Sequence, residues 1–72
     1  MMMQVAAICF PDCDSGDEAA IVVRADSEGV GLTLSLRKGS DTEVFFGSRE
    51  LDQLISALER SRGLLSRVKP VV

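Results

Sequence analysis

Residues 30–37 read "VGLTLSLR". Val30, Leu32, Leu34 and Leu36 alternate with Gly31, Thr33, Ser35 and Arg37. A period of two is the signature of a strand with one buried face. The neighbouring segments follow from it. Upstream, "AAIVVRAD" (residues 19–26) reads as a second strand, with Ile21 and Val23 on one face and Val22 and Arg24 on the other. The link Asp26–Gly29 is short and ends in glycine, as a hairpin prefers. Downstream, Lys38–Asp41 has turn chemistry, and "TEVFF" (42–46) is β-branched and aromatic, a third strand. "QVAAICF" (4–10) is a fourth, stopped by Pro11, which has no N–H to give a ladder.

Ser48 opens a helix as its N-cap, with Glu50 in the first turn where the helix dipole favours an anion. Leu51, Leu54, Ile55, Leu58 and Leu65 fall on one apolar stripe. Gly63 is a natural residue to end the helix, and Pro70 ends anything that continues. Short connections favour an antiparallel meander, because parallel strands need long crossovers. The expected fold is α+β: a β-meander of three to four strands over residues 4–47, then one helix over 48–63 packed on one sheet face. Residues 1–3 precede the strands as a flexible start, and 66–72 form a tail. The 72 residues are expected to make one small domain. The face left by the helix would carry Val22 and Phe45, with Ile8 or Phe10 beside them.

The formal net charge is −3, with eleven acidic and eight basic residues, and the sequence pI is near 4.7. A general nucleic-acid binder carries a basic surface, so this balance disfavours one. The charge is uneven. Asp12, Asp14, Asp17 and Glu18 crowd one turn, whereas Arg60, Arg62, Arg67 and Lys69 follow the helix. Turn chemistry accounts for the acids: Asp and Ser cap backbone amides, and Gly16 supplies a positive φ. The same acids would also suit a basic partner. They fail as a calcium loop, since positions five, six and twelve counted from Asp12 are Gly16, Asp17 and Val23.

Cys9 and Cys13 are four apart, which is not the redox C-x2-C spacing. A closed zinc site wants four ligands, and the chain has two cysteines and no histidine. Free structural thiols are expected in a reducing, cytoplasmic setting. A short-loop disulfide, or a metal shared with Asp12, Asp14 or a second chain, are the alternatives. No cofactor is expected. Catalysis lacks its usual groups: there is no histidine or tyrosine, and the carboxylates sit in turns and on the helix surface. "GVG" at residues 29–31 lacks the lysine and following helix of a phosphate loop. Val5–Phe10, the longest early apolar run, is far shorter than the roughly 20 residues of a membrane-spanning helix.

The sequence therefore points to a non-enzymatic protein-binding module, a regulator, inhibitor or accessory of a larger protein. Small stand-alone domains of this type include ones encoded by phages and mobile elements. Asp12, Asp14, Asp17, Glu18, Val22, Arg24, Arg37 and Phe45 are the candidate partner-binding residues. A homodimer is expected, because so short a chain cannot easily bury 46% hydrophobic residues. The alternative is a single-stranded nucleic-acid-binding domain, with Arg24, Arg37 and Lys38 sharing the outer sheet face with Phe45. "GSRELDQL" (47–54), following the strands, is similar to the strand-to-helix passage in the single-strand-binding domain of the eukaryotic transcriptional coactivator known as positive cofactor four. That likeness covers about half the chain. It concerns element order, and element order assigns no function.

Overall fold

The computed structural model describes residues 1–68. Four strands run in sequence order, β1 (Met3–Pro11), β2 (Glu18–Ala25), β3 (Val30–Leu36) and β4 (Thr42–Phe46). They form one sheet in the order β1-β2-β3-β4, each neighbour antiparallel. A helix, α1 (Ser48–Val68), follows. The fold is thus the expected α+β meander and C-terminal helix. No helix among the described residues is long and apolar enough to cross a membrane.

The hairpin links use the chemistry their residues offer. Asp26 Oδ1 accepts from the amides of Glu28 (2.8 Å) and Gly29 (3.0 Å), which closes the β2–β3 turn. Gly29 cannot grow a side chain there: a Cβ would sit 2.9 Å from the Phe46 carbonyl oxygen. Gly16 has φ 76°, a left-handed conformation that costs other residues roughly 1–2 kcal/mol.

Two details of the helix differ from expectation. The cap is Gly47, not Ser48. The Gly47 carbonyl accepts the first helical bond from Leu51 N–H (3.0 Å), and Glu50 Oε1 reaches back to accept from Gly47 N–H (3.2 Å). This is the acidic half of a capping box, with glycine in place of Ser or Thr. The helix also runs through Gly63 to Val68. Glycine favours a stop but does not impose one, and the residues around it, with no proline between Gly63 and Pro70, continue the turn. Pro70 and the rest of 69–72 lie outside the described residues. Gly63 is exposed, and a Cβ added there would meet no atom within 4 Å. Gly63→Ala is therefore expected to stabilise by about 0.5–1 kcal/mol. A urea melt showing a loss would mean that the glycine does a job the helix cannot spare.

Register decides which residues share a face, since directly opposed residues point the same way. Ile8 pairs with Ile21 and Ile21 with Leu34, while Val23 pairs with Leu32 and Leu32 with Val44. One face is therefore aliphatic from edge to edge. The other carries Glu18, Val22, Arg24, Thr33, Glu43 and Phe45. Ile8 and Phe10 lie on the aliphatic face, not beside Val22 and Phe45 as the sequence suggested. The pairing of β1 shifts between Gln4 and Ala6, and the antiparallel register beyond it puts Phe10 opposite Ala19. β1 also starts at Met3, paired with Ala25, so the strand claims part of the leading segment.

The helix meets the sheet chiefly along β4. Consequently the aliphatic face stays open, with Ile8 52%, Leu34 50% and Val44 51% exposed. Leu51 and Leu54 are half-buried, but Ile55, Leu58 (59%) and Leu65 face solvent. The stripe expected to be core is thus nowhere fully buried, and only Leu51 and Leu54 are partly covered. Among the described residues Ala19, 8% exposed, is the one buried hydrophobic side chain. The chain exposes 6141 Å², whereas a compact monomer of 7.7 kDa exposes about 4,300 Å². Its radius of gyration is 14.4 Å, against about 11 Å for a compact chain of this length.

Candidate functional site

The candidate residues fall into two groups. Glu18, Val22, Arg24, Arg37 and Phe45 are brought together on the polar sheet face. Asp12, Asp14 and Asp17 lie beyond it in the β1–β2 turn.

Across the polar face each arginine has an acid. Arg24 pairs with Glu43 (Nη2 to Oε2, 3.5 Å), and Thr33 donates to the same oxygen (3.1 Å). Arg37 pairs with Glu18 (Nη1 to Oε1, 3.2 Å), and its amide donates to the Glu18 carbonyl (2.8 Å), extending the β2–β3 ladder. These exposed pairs contribute at most about 1 kcal/mol each. Their main effect is on charge, since they balance the cations that would otherwise attract phosphate. Phe45 lies over Gly31, where a Cβ would come within 2.8 Å of the ring. A glycine under an aromatic ring lets that ring lie close against the strand.

The acidic turn is internally bonded. Asp12 Oδ2 accepts from the Ser15 amide and the Ser15 hydroxyl, both at 2.8 Å. The Asp12 amide donates to the Asp17 carbonyl (2.7 Å), and Gly16 N–H donates to the Asp12 carbonyl (2.8 Å). Asp17 in turn accepts from the Lys38 amide (3.1 Å), which ties the turn to the β3–β4 link. The turn reading of these acids thus has a structural basis. No group of three or more His, Cys, Asp or Glu among the described residues is arranged to hold a metal. Cys9 and Cys13 are both free and exposed, Cys9 on the polar face beside Ala20 and Cys13 in the turn.

The Ser15 amide, then the Ser15 hydroxyl, hold the Asp12 carboxyl below its ordinary value of 3.8. A carboxyl whose folded value lies below its unfolded one stabilises the turn above the unfolded value. That stabilisation fades as pH falls through the lowered folded value. The Ser15 amide resonance is therefore expected to titrate with a midpoint below 3.8, and Asp12→Ala should speed exchange of the Ser15 and Gly16 amide protons. A midpoint at or above 3.8 would show that the Ser15 bonds do not persist in solution.

The residues missed in the sequence as interaction candidates are Ile8, Leu34, Val44 and Leu58. The sequence pattern placed Leu34 and Leu58 on covered faces and Ile8 on the face of Val22 and Phe45; the structure leaves all four exposed on the aliphatic face and the helix. A shallow trough of about 400 Å³ runs along the aliphatic face between Phe10, Ala19, Ile21, Leu34, Leu36 and Thr42. It is open and chiefly apolar, which suits a side-chain row better than a small polar substrate.

Compared with known protein families, curated proteins and solved structures, the chain matches none of them.

Proposed function

We propose that this chain is a non-enzymatic protein-binding module, a small acidic regulator or accessory of a larger protein, and that it works as a homodimer. The observation that supports this reading is the open aliphatic face, with Ile8, Leu34 and Val44 each about half exposed beside a helix whose Ile55 and Leu58 are also exposed. Contiguous apolar surface on a small acidic chain marks a place where protein meets protein. With that face covered, the polar face and the acidic turn remain to meet a larger partner, where charge sets encounter and orientation.

Affinity capture from the source cell tests the reading with three baits. They are the wild type, an aliphatic-face variant (Leu34→Glu with Val44→Glu) and a polar-face variant (Val22→Glu with Phe45→Ala). A partner retained by the wild type and lost by one variant is the expected result, and it identifies the surface. Equal recovery by all three baits, or by none, overturns it. The nucleic-acid alternative loses support on the polar face, where Glu43 and Glu18 balance Arg24 and Arg37. Tight binding of a single-stranded oligonucleotide of about 20 bases, falling steeply with salt, would restore that alternative.

A further inference from the structure

We propose that the homodimer closes reciprocally: α1 of each copy lies on the aliphatic sheet face of the other. This inference rests on the protein-binding reading and adds the partner and the geometry. Three observations lead to it.

The first is the mismatch between surfaces within one chain. The chain has an aliphatic sheet face and an aliphatic helix stripe, and the two leave each other largely exposed. A one-residue link, Gly47, joins β4 to α1, so the helix starts on an edge strand. Its 21 residues span about 31 Å at 1.5 Å per residue. β4, with five residues, is about 17 Å long, and the axes of β1 and β4 lie about 14 Å apart. Along the strand or across the sheet, the last turns of α1 outrun their own β4 or the width of the sheet.

The second is area. The chain exposes 6141 Å², well beyond the roughly 4,300 Å² of a compact chain of its mass. Burying about 1,000–1,800 Å² on each of two copies gives about 2,000–3,600 Å² in all, the range of obligate homodimers. A face that meets its own chain's second surface on a copy satisfies both surfaces at once, as closed two-fold symmetry requires.

The third is position. α1 springs from the Phe46 end of β4, which pairs with Val30. The trough opens at the opposite end of the sheet, around Phe10, Ala19 and Leu36, with Asp12 in its lining. The acidic turn, with Asp14 exposed, borders that end. A partner helix entering the trough lays its apolar stripe, Ile55 and Leu58, on Ile21 and Leu34.

Charge-swap complementation tests the geometry. One variant carries Leu34→Glu and Val44→Glu on the sheet face, and the other carries Ile55→Lys and Leu58→Lys on the helix. Each alone should scatter light as a single 7.7 kDa chain. Mixed in equal amounts, they should recover about twice that mass, because one interface is wild type on both sides and the other sets Glu against Lys. If the helix variant alone stays dimeric, the copies meet face to face and the proposal falls. If the face variant alone stays dimeric, they meet helix to helix and it falls equally. A wild-type chain that remains single at about 100 µM removes the dimer, whereas the protein-binding reading stands or falls on the capture experiment.

Far-UV circular dichroism identifies variants that have merely unfolded. Disulfide trapping supplies an arm that needs no charge. In a Cys9→Ser, Cys13→Ser background, a Leu58→Cys chain mixed in equal amount with a Leu34→Cys chain should form more mixed disulfide than the two like-with-like products combined, whereas random pairing makes the two shares equal. Predominance of the Leu58→Cys homodisulfide would overturn the reciprocal arrangement.

Discussion

Dilution is expected to lower the melting temperature of this protein by about 4–5 °C for each tenfold step. The physical reason is the near-absence of a private core. Ala19 is the one buried hydrophobic side chain among the described residues, so in the proposed dimer most of the burial that opposes chain entropy comes from the second copy. For a dimer that unfolds as it separates, a tenfold dilution costs about 1.4 kcal/mol per dimer. Unfolding entropy is about 2.1 cal/mol/K per residue, which over two chains of 72 residues gives about 300 cal/mol/K. The ratio of the two is the expected shift, and between about 100 µM and about 1 µM it amounts to about 9 °C. Calorimetry or circular dichroism at three concentrations reads it directly. A midpoint constant to within about 1 °C would mean that the chain is stable alone, and would remove both the homodimer and its reciprocal packing.

The parts of the fold that are legible in the sequence are those set by local chemistry. The alternation in β3 needs only a period of two, and Asp26 and Gly29 close the hairpin before it as their types suggest. The positive φ of Gly16 is legible for the same reason. What the sequence hides depends on pairing partners. The side to which Ile8 and Phe10 point follows from the register of β1 on β2, and that register shifts between Gln4 and Ala6, which no local pattern announces. The Gly47 cap is hidden by a good Ser beside it; the residue that settles it, Glu50, reaches back to Gly47 N–H. Gly63 reads as a stop because glycine usually ends helices, yet an exposed glycine in a helix costs only about 1 kcal/mol.

The larger miss concerns burial. An apolar stripe in a sequence says that a surface wants cover; it does not say whose atoms supply it. Leu54 and Leu58 belong to the same stripe, and one is half-buried while the other is 59% exposed. The same limit applies to the candidate site. The polar-face residues Val22, Arg24 and Phe45 are legible as a group because strand parity puts them on one side. The aliphatic residues around Leu34 read as interior because a helix following the sheet is expected to lie over them.

Ile21→Asp and Val22→Asp, one residue apart, are expected to differ by several kcal/mol. Ile21 sits between Ile8 and Leu34 in the register and lines the trough. Under a partner helix, a carboxylate there has no counter-charge, and an uncompensated buried charge costs on the order of 3–5 kcal/mol. Such a loss is comparable to the whole stability of a small domain. The variant should therefore be unfolded or, if it folds, a single chain. Val22 sits between Ala7 and Thr33 on the other face, in the same group as Arg24 and Glu43. An aspartate there keeps contact with water and loses only part of a valine's packing, about 1 kcal/mol. Urea midpoints and scattering masses of the two variants make the comparison. In an isolated chain Ile21 and Val22 are both half-buried, so a monomer should respond to the two changes almost alike. Equal, modest losses would thus show that nothing covers the aliphatic face, whereas a large loss confined to Ile21→Asp requires a partner there.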